Sequence, residues 1–148
     1  MNKKQLFIAA IAAVMSVSCV NATDITGITG NNGIYNINPE KVNGEVGYRK
    51  YNNFNLTEGD IANLIYKSGS SRDIETFINL VNSGVNINGI LNTVRDGNFY
   101  NGRAVFITPG GMTIGASGVL NVGSLAVATP TSPAYNKLTS EYAAGNYT

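Results

Sequence analysis

The sequence predicts an all-β fold, a right-handed parallel β-helix (β-solenoid). Three observations predict it. Asn occurs 21 times and Gly 17 times in 148 residues, and both residue types tolerate the left-handed backbone region that turns need. Only 13% of the residues are charged, about half the usual share, which suits neither a helical bundle nor a charged disordered tail. From Gly84 onward the chain runs as apolar stretches of about three to five residues, each closed by Gly, Asn, Pro or Ser. Short strands with a bend every few residues suit coils that stack at the inter-strand spacing of about 4.8 Å. Asn at a corner can then pair with its equivalent one coil away.

The first residues read as an address. Lys3 and Lys4 precede an apolar run from Leu6 to Val17, and small residues follow up to Ala22. This order of charge, apolar core and small residues is that of a secretory signal peptide over 1–22, cut between Ala22 and Thr23. The apolar run is about a dozen residues, too short for the roughly 20 that span a bilayer. A lipoprotein acylated at Cys19 is the lesser alternative, because Ser16 stands where a larger aliphatic residue is expected. Cleavage removes Cys19, the one cysteine, so the exported chain has neither a disulfide nor a thiol.

Residues 23–53 form an N-terminal cap region. Within it Ile34, Tyr35 and Ile37 alternate with Asn as in a short strand, and 40–49, the most charged stretch, reads as a solvated loop. Phe54 and Leu56 alternate with polar residues on a half-buried strand. Glu58-Gly59-Asp60 is a turn, and Ile61–Tyr66 is a strand, with a short helix as the alternative. Residues 67–72 are a polar loop. Residues 73–82 fit both periods, since Ile74, Phe77, Ile78 and Val81 have helical spacing but are mostly β-formers. Strands follow at 85–91, 103–107, 112–115, 119–122 and 125–129, with a loop at Arg95-Asp-Gly-Asn and no recurring hairpin signal. A period in the low twenties places about two coils in 85–127.

Composition excludes much chemistry. The chain has no His, so it has no imidazole base and no His metal ligand. A formal net charge of +1 gives no footprint for nucleic acid. Glu58 with Asp60, and Asp73 with Glu75, lie two apart and share a strand face, but no third ligand or base lies near either pair. They read as solvent-facing charges, and the Gly-rich stretches as turns. No enzyme activity, cofactor or metal is expected.

The segment Ile87-Asn-Gly-Ile-Leu, followed by the run from Gly102 through Thr108-Pro-Gly-Gly-Met-Thr-Ile-Gly to Leu125, resembles the secretion domain of two-partner secretion exoproteins. These are the filamentous-haemagglutinin-like proteins, and leukotoxin-type filamentous adhesins are the most similar subgroup. The likeness covers Phe54–Thr131. It departs from the family at the Asn-Pro-Asn-Gly turn, which reads Thr108-Pro109-Gly110-Gly111 here. One amide is lost with Thr108, while Gly still meets the need for positive φ. The resemblance implies a solenoid incomplete at its C-terminal end, because the family's secretion domains are usually much longer. It assigns 54–131 to a partial secretion β-helix and 132–148 to a poorly ordered tail unlike a solenoid cap.

The resemblance further implies a secreted or surface-exposed module of a Gram-negative-type bacterium. A dedicated outer-membrane β-barrel transporter with periplasmic domains recognises it, and it folds outside the cell as the first β-helix coils. The residues carried over are Asn88, Gly89, Ile90, Thr108, Pro109, Gly110, Gly111 and Gly115, acting as backbone turns and in coil stacking. The second function implied is that of a fragment of an adhesin or cytotoxin that binds a host cell surface.

Overall fold

The structure is a computed structural model that describes residues 22–67 and 72–146. The segment expected to be a signal peptide lies outside the described residues apart from Ala22, and so do 68–71 of the polar loop. In chain order the strands are β1 (Asp24–Ile25), β2 (Ile34–Ile37), β3 (Lys41–Asn43), β4 (Val46–Tyr51), β5 (Phe54–Leu56), β6 (Ile61–Ile65) and β7 (Thr76–Val81). Then come β8 (Val85–Ile87), β9 (Ile90–Arg95), β10 (Asn98–Phe99), β11 (Arg103–Ile107), β12 (Met112–Ile114), β13 (Val119–Asn121) and β14 (Ser124–Ala128). One helix, α1 (Ser132–Ala143), follows.

The strands form a β-solenoid of about three turns with three sheets. Sheet 1 holds β1, β5, β8 and β12; sheet 2 holds β2, β6, β9 and β13, with β10 beside β9; sheet 3 holds β3, β4, β7, β11 and β14. The chain visits sheets 3, 1 and 2 in turn, so like strands of successive coils pair in parallel. Two of these coils lie between Val85 and Ala128, as the sequence predicts.

Alternation along each strand explains the stacking. In β9, Leu91 and Thr93 are buried, while Ile90, Asn92 and Val94 point outward. The register then builds interior columns, Ala62–Leu91–Leu120 in sheet 2 and Phe77–Ala104–Leu125 in sheet 3. Phe54 meets Phe106 edge-on across the interior at 5.4 Å. Each fully buried Leu or Phe contributes about 1.5–3 kcal/mol of transfer free energy, which is what holds a chain without disulfides.

Several expectations are corrected. The period is neither constant nor in the low twenties throughout. Equivalent asparagines of successive coils stand 27 and 29 positions apart on sheet 2 and 30 apart at Asn52 and Asn82. The coil from Arg103 to its partner Ser124 is the shortest, and those from Val46 to Thr76 and from Thr76 to Arg103 are longer. Excursions at the corner between sheets 2 and 3 account for the difference. Residues 40–49 are not a solvated loop, because β4 runs through them with Tyr48 and Tyr51 buried. Lys and Arg mask this strand, which is buried on both faces, Tyr51 in the core and Tyr48 beneath α1. The assigned cap region contributes β2 and β4 to the parallel sheets. Tight hairpins do occur. Asp96 and Gly97, with φ of 52° and 80°, join β9 to antiparallel β10, and Asn43 pairs with Val46 across Gly44-Glu45.

Residues 132–143 are a helix and not a poorly ordered tail. Thr131 caps α1 by accepting from the Ala134 amide, and Pro133 sits in the first turn, where its missing N–H costs nothing. Tyr135 and Tyr142 bury themselves against Tyr48 and Leu80 on the outside of sheet 3. The helix therefore runs along the flank of the solenoid and does not close its end.

The two ends differ. At the N-terminal end Ile25, Ile37 and Phe54 are buried, and antiparallel β1 and β3 cover the edges of sheets 1 and 3. At the other end Ile114 is 45% exposed although its partner in register, Ile87, is fully buried. Val127 is 41% exposed over buried Phe106. Interior columns thus stop on an uncovered coil among the described residues.

Candidate functional site

The residues singled out by the resemblance fall on two corners that flank sheet 1. Asn88, Gly89 and Ile90 turn the chain from sheet 1 to sheet 2. The Asn88 amide donates to Leu56 O at 2.7 Å and that of Ile90 to Asp60 O at 3.0 Å. A Cβ on Gly89 would lie 2.6 Å from Thr57 O, so this corner needs glycine for close stacking. Gly115 sits directly over the Asn88 side chain, and a Cβ there would overlap Asn88 Oδ1. These four residues are brought together.

Thr108, Pro109, Gly110 and Gly111 form the other corner, from sheet 3 to sheet 1. The Gly111 amide donates to Thr108 O at 3.2 Å and closes a β-turn, and Gly111 has the positive φ, 78°, that the sequence requires of this turn. Thr108 is buried, and its hydroxyl donates to the Ser83 carbonyl one coil down. The Thr108 hydroxyl thus makes a direct bond between coils. Gly110 rests on Gly84, whose N would be 2.6 Å from a Cβ. Ala22 is exposed, and the Thr23 hydroxyl donates to Asp60 Oδ2 at 2.6 Å.

A feature that sequence reasoning missed lies on the outer face of sheet 2. Asn36, Asn63, Asn92 and Asn121 are in register and form a continuous amide ladder. Each Nδ2 donates to the Oδ1 of the coil before it, at 3.0, 2.9 and 2.9 Å. An apolar column runs on one side, Ile34–Ile61–Ile90–Val119, and Ile65 pairs with Val94 on the other. Shorter amide pairs join Asn86 to Asn55 and Asn82 to Asn52 on the remaining faces. The sequence signal is an Asn set among apolar residues on β6 and β9, but it needs the register to become visible.

The hairpin of β9 and β10 borders this face as a wall. It carries Phe99, 60% exposed. Arg95 clamps its base: Nε donates to Tyr66 O at 3.2 Å, the guanidinium stacks 3.6 Å from the Tyr100 ring, and ion pairs reach Asp73 and Glu75 at 3.7 and 3.4 Å. The Tyr100 hydroxyl donates to Glu75, and this bond holds the Glu75 carboxyl below its ordinary range. Lys67 pairs with Asp96 on the hairpin turn. Face and wall together enclose a groove of about 1040 Å³. Six of its lining residues are Asn and none is charged.

The carboxylate pairs are committed elsewhere. Asp73 and Glu75 hold Arg95, and Asp60 accepts from Thr23 and Thr57. Among the described residues no group of three or more acidic or thiol side chains is placed to hold a metal ion. Neither a protein-family model, nor a curated protein, nor a solved structure matches the chain.

Proposed function

We propose that the chain is a secretion-targeting and nucleating module of a filamentous-adhesin-type exoprotein, exported by two-partner secretion. The observation that carries this reading is the asymmetry of the solenoid ends. At one end antiparallel strands cover the edges of sheets 1 and 3, and the other presents Ile114 and Val127 from interior columns beside strand edges that are unpaired among the described residues. An exposed parallel edge over an apolar core is a template for further strands, and a liability unless something covers it. A module that folds first and accepts further coils needs this polarity. Its work is binding coupled to folding, without covalent chemistry. Its partner is an outer-membrane β-barrel transporter that meets the chain before it folds. Asn88, Gly89, Ile90, Gly115 and the 108–111 turn supply the tight corners that let the coils form.

Co-expression with the cognate transporter tests this reading. The wild type is exported. Pro109→Ala/Gly111→Val and Ile114→Lys/Val127→Lys are not, the second pair because charges on the last coil block coil addition. Equal export of all three chains overturns the proposal.

A further inference from the structure

We propose that the groove over sheet 2 binds a linear, uncharged oligosaccharide lying along the solenoid axis. The inference goes beyond the secretion reading and does not depend on it. Four properties of the groove point to this ligand.

The first is charge. No lining residue is ionised, so a charged ligand would lose hydration there without gaining a counter-charge. The second is hydrogen-bonding capacity. An Asn amide has two N–H groups and two acceptor lone pairs. Asn63 and Asn92 each spend one N–H and one lone pair on the ladder, which leaves a donor and an acceptor side by side. A hydroxyl group is itself both donor and acceptor and suits that pairing. The third is repetition. The amides recur at the coil spacing of about 4.8 Å, so the ladder offers like sites over roughly 14 Å, which fits a polymer with repeated hydroxyls.

The fourth is the apolar flank. Ile65 and Val94 line one side of the amide row, and Phe99 rises above it. The C–H faces of sugar rings pack on such surfaces while their hydroxyls turn to the amides. Phe99 is the most exposed large apolar side chain described, and the contacts of Arg95 fix the hairpin that presents it. The ladder also orders its amides in advance, which lowers the entropy lost on binding. An extended peptide is the other uncharged candidate. Its affinity would come from pairing with a strand edge, whereas this face presents side chains.

The test screens the full chain against immobilised neutral and charged oligosaccharides and a set of uncharged peptides, followed by titration calorimetry and NMR of the Asn side-chain amides. A neutral linear oligosaccharide is expected to bind and to shift the amide resonances of Asn63, Asn92 and Asn121. Phe99→Ala should weaken binding about tenfold or more, as for truncation of a central aromatic anchor. Asn98→Asp, which puts a charge on the rim outside the ladder, should weaken it too, and neither variant should lower the melting temperature. Binding confined to charged glycans, binding of peptides in their place, no binding at all, or binding indifferent to both substitutions overturns the proposal. If Phe99→Ala does not fold, the wild-type amide shifts decide. Loss of export leaves this result untouched, and loss of glycan binding leaves export untouched.

Discussion

Replacing Asn79 tests how the interior of the solenoid tolerates a polar side chain. Asn79 is fully buried in β7. Its Oδ1 accepts from the Tyr51 hydroxyl at 2.6 Å, and its Nδ2 donates to Phe77 O at 3.3 Å and Val105 O at 3.2 Å. Burial pushes the Tyr51 phenol well above its ordinary pKa, which favours its protonated, donating form. Tyr51→Phe orphans the Asn79 carbonyl oxygen, at a cost of about 1–3 kcal/mol. Asn79→Leu, nearly the same size, orphans the Tyr51 hydroxyl for a similar cost and also takes a donor from two carbonyls. In the double variant no orphaned phenol remains. Tyr51→Phe should therefore stabilise the Asn79→Leu protein although it destabilises the wild type. The expected coupling is on the order of 1–3 kcal/mol. Urea unfolding followed by far-ultraviolet circular dichroism measures all four chains, with unchanged m-values as the control. Additive losses would refute the argument, because they would mean that the two groups do not depend on each other for satisfaction.

The corner glycines make a second prediction. Gly89→Ala, which drives a Cβ into the Thr57 and Asp60 carbonyls, should cost more than about 2 kcal/mol. Gly97→Ala, with open space but φ of 80°, should cost about 1 kcal/mol in backbone strain, and the same unfolding series ranks them. Within the ladder, Asn63→Ala breaks two amide bonds and Asn121→Ala one, so the first should lose about 1–2 kcal/mol and the second about half that. Glu75 gives a pH dependence. Its folded pKa is depressed, chiefly by the Tyr100 hydroxyl, so its contribution to stability is present above the unfolded pKa and is lost as pH falls through the folded value. Carboxyl NMR should place its midpoint below the ordinary Glu value of about 4.3, and Glu75→Gln should flatten the acid limb of the stability curve.

Much of the coil path is legible in the sequence, because Gly, Asn and Pro punctuate short runs such as Val85–Ile87 and Arg103–Ile107. Other parts are hidden for identifiable reasons. β4 carries Arg49 and Lys50, whose charges mask the burial of Tyr48 and Tyr51. Asp96-Gly97 is a strong hairpin signal, but β10 is only two residues long and reads as loop. α1 begins in Thr, Ser and Pro, and its apolar face is only Tyr135, Leu138 and Tyr142. The amide ladder cannot be read from spacing, since the repeat changes from coil to coil. Asn63 follows Asn36 by 27 residues and Asn92 follows Asn63 by 29. The 108–111 corner is legible as a turn, whereas the pattern runs one strand through 85–91 and hides the corner at Asn88-Gly89, and only the stacked coils show why Gly115 must lie over Asn88.

The path of α1 has a consequence for how the molecule comes apart. A stack of coils in contact only with their neighbours frays from its ends, each coil leaving in turn. Here the helix leaves the last coil and reaches back to the first, where Lys41 Nζ donates to Tyr142 O at 3.2 Å and Tyr142 Oη donates to Glu40 at 3.0 Å. These bonds join residues 101 and 102 apart in the chain. The strap makes the two terminal coils thermodynamic neighbours, so the array should melt as one unit with the strap in place. In Tyr142→Ala, hydrogen exchange should report the last coil opening ahead of the first.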